Sequence, residues 1–116
     1  MRHRKKGATL SRTASARGVL ARKLAISFLT HGRIETTHAR ARFLRSFVEP
    51  LITTAKPGDL SARRGILAAL GDRAAVVKLL QRAEGYRDRP GGYTRISRLR
   101  VRRKGDGSQQ VLIEFV

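Results

Sequence analysis

Residues 43–55, FLRSFVEPLITTA, decide the fold. Phe43, Phe47, Leu51 and Ala55 recur every fourth residue beside Leu44, Val48 and Ile52, the spacing of a helix with one broad apolar face. Pro50 falls inside this pattern, yet the stripe continues past it, so the helix is expected to kink where the Ser46 carbonyl loses its donor. Just upstream, Arg33-Ile34-Glu35-Thr36-Thr37 is short, β-branched and alternating, as a strand is, and Thr37 stands where it can cap the helix.

Working outward, a first helix is expected from Ser11 or Thr13 to about His31, where Gly32 supplies a left-handed stop. Its first half carries Arg12, Arg17, Arg22 and Lys23, while residues 24–29 are apolar on most sides, so it is polarised along its length. Downstream, Lys56-Pro57-Gly58-Asp59 breaks the pattern. Two shorter helices follow, roughly Leu60 to Leu70 and Arg73 to Ala83, joined by Gly71-Asp72 as stop and new cap, and Gly85 closes the helical region. After Pro90-Gly91-Gly92, Tyr93 to Arg103 and Gln110 to Val116 read as two strands around a Gly105-Asp106-Gly107-Ser108 turn. Ile96 is out of phase with Leu99 and Val101, which predicts a bulge near Ser97.

The order is helix, strand, three helices, two strands. A helix in a parallel crossover must lie on its sheet, so the pattern predicts a two-layer α/β fold of the α+β type with a small three-stranded mixed sheet. Residues 13–116 form one globular domain by this reading, and residues 1–12 a basic extension with no periodicity, expected to be disordered when free.

Charge points to a partner. The chain holds 26 Lys plus Arg against 8 Asp plus Glu, a formal charge of +18. Its distribution is uneven: residues 1–45 carry 12 bases and one acid, Glu35; residues 46–85 carry 6 and 4; residues 86–116 carry 8 and 3. A merely solubilising surface mixes signs. Here the acids are missing where the bases are dense, as expected for a protein that neutralises a polyphosphate and releases its counterions. Arg outnumbers Lys 20 to 6, which favours nucleic acid over a lipid surface, because guanidinium grips phosphate with two hydrogen bonds, although codon usage alone can raise Arg. In the hairpin Arg98, Arg100 and Arg102 alternate with Leu99 and Val101, which predicts one packed face and one row of guanidinium groups; a solvated, aggregation-resistant edge would look the same.

Other chemistries find little to work with. There is no Cys, hence no disulfide framework or thiolate metal site, and no apolar run of membrane-spanning length, so a soluble intracellular protein is expected. His3 lies in the extension, while His31 and His38 sit at helix ends, giving no acid–base constellation. The glycines match neither phosphate-binding fingerprint and the acids show no metal-ligand spacing, so neither cofactor nor metal is expected. The third and fourth helices could be taken for a helix-turn-helix, but they occupy the least charged third of the chain. Sparse aromatics argue against a base-stacking platform, and Tyr93 reads as a core ring.

Four segments carry a resemblance: the opening MRHRKKG, IETT at 34–37, VEPLITTAK at 48–56 and RPGGYTRI at 89–96. In these, and over essentially its whole length, the chain resembles the seventeenth-protein family of the bacterial large ribosomal subunit. The resemblance implies a non-enzymatic ribosomal component, acting in the cytoplasm, that binds the large-subunit (23S) rRNA and touches neighbouring ribosomal proteins, with no small-molecule substrate. It places Arg2, His3, Arg4, Lys5 and Lys6 in an RNA-contacting extension, and Gly92, Tyr93, Thr94 and Arg95 in the hairpin motif. The segment RRKGDGSQQVLIEFV at 102–116 departs from the family by lacking its usual Ala-Pro-Met stretch. With the basic end of the first helix and the hairpin, the candidate rRNA-binding set is Arg2, His3, Arg4, Lys5, Lys6, Arg12, Arg17, Arg22, Lys23, Arg95, Arg98, Arg100, Arg102 and Arg103. The competing readings are a small DNA-binding nucleoid protein and a small hydrolase using His31 or His38.

Overall fold

Four side-chain caps divide the chain into its helices. In the computed structural model, which describes residues 3, 4 and 7–116, Thr13 accepts from the Ala16 N–H to open α1 (Ala14–His31), and Thr37 from the Arg40 N–H to open α2 (His38–Ala55). Asp59 and Asp72 do the same for α3 (Leu60–Leu70) and α4 (Arg73–Glu84) through the N–H groups of Ala62 and Ala75. Each cap satisfies a backbone donor that the helix itself leaves orphaned. Gly32 and Gly71 then end α1 and α3 at φ 76° and 70°, left-handed values that a side chain disfavours.

The strands are β1 (Arg33–Thr37), β2 (Thr94–Arg102) and β3 (Gln109–Phe115). Their order is β1-β3-β2, with β3 antiparallel to both neighbours. The expected mixed sheet is therefore corrected to an all-antiparallel one. β1 and β2 do point the same way, so the crossover through three helices keeps its parallel sense. Its two strands never pair, because the hairpin returns β3 into the gap between them.

α2 is the hub, touching the other three helices and all three strands. Ala41, Leu44, Val48, Ile52 and Ala55 are its buried line, while Phe43, Phe47 and Leu51 flank that line half-buried. Around it the core gathers Ala25, Phe28 and Leu29 of α1, Ile66 and Leu70 of α3, Leu79 and Ala83 of α4, and Val111 and Ile113 of β3. The Phe28 and Phe115 rings stack at 4.3 Å, and the Arg82 guanidinium lies 4.5 Å from the centre of Phe115. The fully buried residues of α1 lie within 21–29, and its basic side chains are exposed or, at Arg17, half-buried.

Register decides the far end of the hairpin. Pairing is in step from Thr94 opposite Phe115 to Arg98 opposite Val111, with Ser97 opposite Leu112, and resumes at Arg102 opposite Gln109. The irregularity expected near Ser97 thus falls between Arg98 and Arg102. Ile96 and Arg98 share the face of Ile113 and Val111, so the core side of β2 ends in a charged residue. Beyond it no buried side chain pins the phase. Val101, expected on a packed face, is 78% exposed, and Leu99 is half-buried.

Candidate nucleic-acid interface

Acids are consumed by the fold itself. Asp59 and Asp72 cap helices, and Glu49 accepts from both the N–H (3.2 Å) and the hydroxyl (2.8 Å) of Thr94. Glu114 pairs with Arg95 at 3.1 Å, and Asp106 pairs with Arg103. These last two are the only ion pairs among the described residues, so most Lys and Arg side chains keep an uncompensated charge. None of the four helices has an acid in its first turn, although α2 places Arg40 and α4 Arg73 there, where the helix dipole disfavours a cation.

The candidate residues fall into distinct groups. Arg2, Lys5 and Lys6 lie outside the described residues; His3 and Arg4 are exposed. Arg12 is exposed and takes part in a turn through its N–H on the Thr9 carbonyl. Its own carbonyl accepts from the half-buried Arg17 at 2.8 Å. Arg22 donates to the Ala69 carbonyl at 3.1 Å, stapling α1 to the end of α3, while Lys23 is exposed without such a bond. In the hairpin Arg98 and Arg100 are exposed and unpaired among the described residues, and Arg102 reaches the Gly107 carbonyl at 3.4 Å.

Arg103 serves the turn. Its Nε donates to Asp106 at 3.1 Å, a second nitrogen also bonds that carboxylate, and Ser108 N–H donates to the same Asp106 at 3.0 Å. The Arg103 hydrogen bond, with the Ser108 bonds behind it, holds the Asp106 carboxyl well below the usual carboxylate range. The two charges cancel locally, so Arg103 builds the loop rather than an open cation site. Gly105 and Gly107 adopt φ of 101° and 67°, and the Asp106 carboxylate between them closes the turn on itself.

Two arginines outside the candidate set face a cavity. Arg42 and Arg45 lie one turn apart on the exposed side of α2, without an ion pair among the described residues. A cleft of about 460 Å³ is lined by both, with Ser46, Glu49, Gly91 and Tyr93 among its walls. A second cleft of about 380 Å³ shares Arg42 and Ser46 and is walled by Gly7 and Ala8 of the extension and by Phe43. The Tyr93 side of the first cleft is fixed: its hydroxyl bonds Thr53 at 3.0 Å, and Lys56 sits 4.7 Å over its ring. Tyr93 is 1% exposed, a core ring as the sequence predicts. The signal that could have found this pair was there: two arginines three apart on the polar side of the clearest stripe.

No described helix is long and apolar enough to cross a membrane. His31 and His38 end and open their helices as expected.

A family model described as ribosomal protein L17 matches residues 20–116. Over 117 aligned positions, the whole of this chain is similar to large ribosomal subunit protein bL17 of Thermus thermophilus, at 52% identity and covering 99% of that protein. It is also similar to the bL17 proteins of Syntrophotalea carbinolica, at 48% with 75% of that protein covered, and Campylobacter jejuni, at 45% with 99% covered.

Proposed function

The chain belongs to the ribosomal protein L17 family, and on that footing we propose that it is a structural constituent of the large ribosomal subunit, holding large-subunit rRNA through its basic extension and its β2–β3 hairpin. The family is one of structural ribosomal proteins, generally without enzymatic activity, whose place is the ribosome and whose process is translation. The finer reading concerns where the RNA sits. Residues 1–12 lose conformational freedom on the RNA, and released counterions with Arg–phosphate hydrogen bonds offset that loss. The body 13–116, with its helices as one layer and the sheet as a second, supplies the rigid support. Arg4, Lys23, Arg98 and Arg100 contact phosphates directly, while Arg17 and Arg22 do so from positions fixed by their bonds to carbonyls. The recognised object is the 23S rRNA read by shape and backbone, among neighbouring large-subunit proteins, in the cytoplasm and without a small-molecule substrate.

One observation carries this reading: a chain of charge +18 that makes only two ion pairs among its described residues. The test is sedimentation of a cell extract, in which the chain should travel with the large subunit at low salt and be stripped from it as salt rises. Titration against folded large-subunit RNA and duplex DNA should then favour the RNA. Equal affinity for both, or absence from the large-subunit fraction, defeats the proposal.

A further inference from the structure

We infer that the paired clefts on α2 are a second, body-borne seat for the RNA sugar–phosphate backbone, with Arg42 shared between them and Arg45 gripping one side. The inference rests on the proposal that the partner is RNA, and adds a site centred on α2, with Gly7 and Ala8 of the extension at one wall.

The residues that line the clefts point to such an occupant. Arg42 and Arg45 stand three residues apart on α2, their backbones about 4.5 Å apart along the axis, and like charges at that spacing repel in the free helix. An anion between them reverses the sign. Glu49 would be the obvious local partner for Arg45, four residues on, but its carboxylate is held by the Thr94 N–H and hydroxyl, and the two form no ion pair. Both arginines therefore keep forks free for phosphate oxygens.

The shape selects an extended ligand over a compact one. The two clefts share Arg42 and Ser46, so together they make a trough along α2 with Arg42 at the junction. Gly91 also lines the first cleft and carries no side chain, and a Cβ built there would meet nothing within 4 Å, so this side of the cleft is not closed by a side chain. Gly7 and Ala8 wall the second cleft, so a strand lying in the trough passes beside them. The extension and α2 would then hold the same strand from two sides.

Full-length protein carrying Arg42→Ala with Arg45→Ala should be titrated against deproteinised large-subunit rRNA from 50 to 300 mM salt, beside wild type and a charge-matched Arg63→Ala/Arg64→Ala control on α3. Two lost phosphate contacts should lower the magnitude of the slope of log affinity on log salt by about 1.4–1.8, and affinity at 0.1 M by about 25- to 60-fold. An Arg42→Lys/Arg45→Lys variant should keep the slope but bind more weakly, because it retains charge and loses the fork. An unchanged slope in the Ala pair, or an equal loss in the α3 control, overturns the site while leaving the RNA assignment standing. Wild type that binds this RNA without salt dependence overturns both.

Discussion

Replacing Glu49 by Ala removes the bond that closes α2 onto the start of β2. β2 is an edge strand, and the Thr94 N–H points away from β3 to Glu49 Oε1, which also accepts from the Thr94 hydroxyl. Thr94 is only 8% exposed, so truncation leaves two nearly buried donors without an acceptor. Each such loss costs about 1–3 kcal/mol; because Glu49 itself is half-buried and water partly reaches the gap, the sum is set at about 2–4 kcal/mol. An unfolding entropy of about 2.1 cal/mol/K per residue converts 1 kcal/mol into about 4 °C for a chain of this length, so Tm should fall by about 8–16 °C. Glu49→Gln keeps an acceptor oxygen and gives up only the charge assistance, about 1 kcal/mol or about 4 °C. Thermal unfolding followed by far-ultraviolet circular dichroism separates the two variants. If Gln and Ala lose the same amount, the carboxylate is not acting as an acceptor for Thr94 and the reasoning fails.

Ile113 is fully buried on the central strand beneath α2; Ile113→Ala should cost about 2–5 kcal/mol in urea unfolding with an unchanged m value, and a loss under 1 kcal/mol would place the core elsewhere. Asp106 titrates below the ordinary carboxylate range because Arg103 and Ser108 bond its charged form. Its contribution is therefore present above about pH 3.9, the unfolded value, and is lost as pH falls through its lower folded value. The Asp106 carboxyl resonance and the Ser108 amide should move together in that acid window, and a carboxyl midpoint near 3.9 would contradict the turn. Deleting residues 1–10, which hold Arg2, Arg4, Lys5 and Lys6, should leave the unfolding transition in place while lowering RNA affinity and reducing the salt slope by up to about 2.8–3.6; an unchanged slope refutes the role of the extension. Arg100→Ala should lower that slope by about 0.7–0.9 and Arg103→Ala by much less, since Arg103 is already neutralised by Asp106; equal effects would show that local pairing is irrelevant.

What the sequence made legible follows the range of the interactions involved. Thr13, Thr37 and Asp72 cap donors three residues away, and Gly32 and Gly71 stop helices by their own φ, so every helix boundary is a local matter and was readable. Strand order is not local. β1 and β2 lie more than fifty residues apart in the chain, and a hairpin whose second strand adds at the outer edge has the same alternation as one whose second strand inserts between them. Only the fit of Val111, Ile113 and Phe115 under α1 and α2 decides it. The phase of residues 96–101 fails for a related reason: an apolar residue announces a buried face only while the sheet still lies over the body, and Val101 is already past that edge.

The site divides along another line, between where charge is dense and where it is free. Density treats Arg100 and Arg103 alike, three residues apart in one basic run. The structure gives Arg103 a carboxylate and leaves Arg100 exposed, so one contributes to the field of the molecule and the other largely does not. A bond to a carbonyl has the opposite effect: Arg17 on the Arg12 carbonyl and Arg22 on the Ala69 carbonyl keep their full charge and lose rotamer freedom that binding would otherwise have to remove. The same distinction hides the α2 surface from the sequence. Its apolar stripe dominates the pattern, and nothing in a linear count reveals that Glu49, the one acid spaced to neutralise Arg45, is turned toward Thr94. Glu49 keeps its charge, as Arg17 and Arg22 keep theirs, but its Oε1 accepts twice from Thr94 and no ion pair joins it to Arg45, so two guanidinium groups stand against one carboxylate in the cleft and leave it net positive.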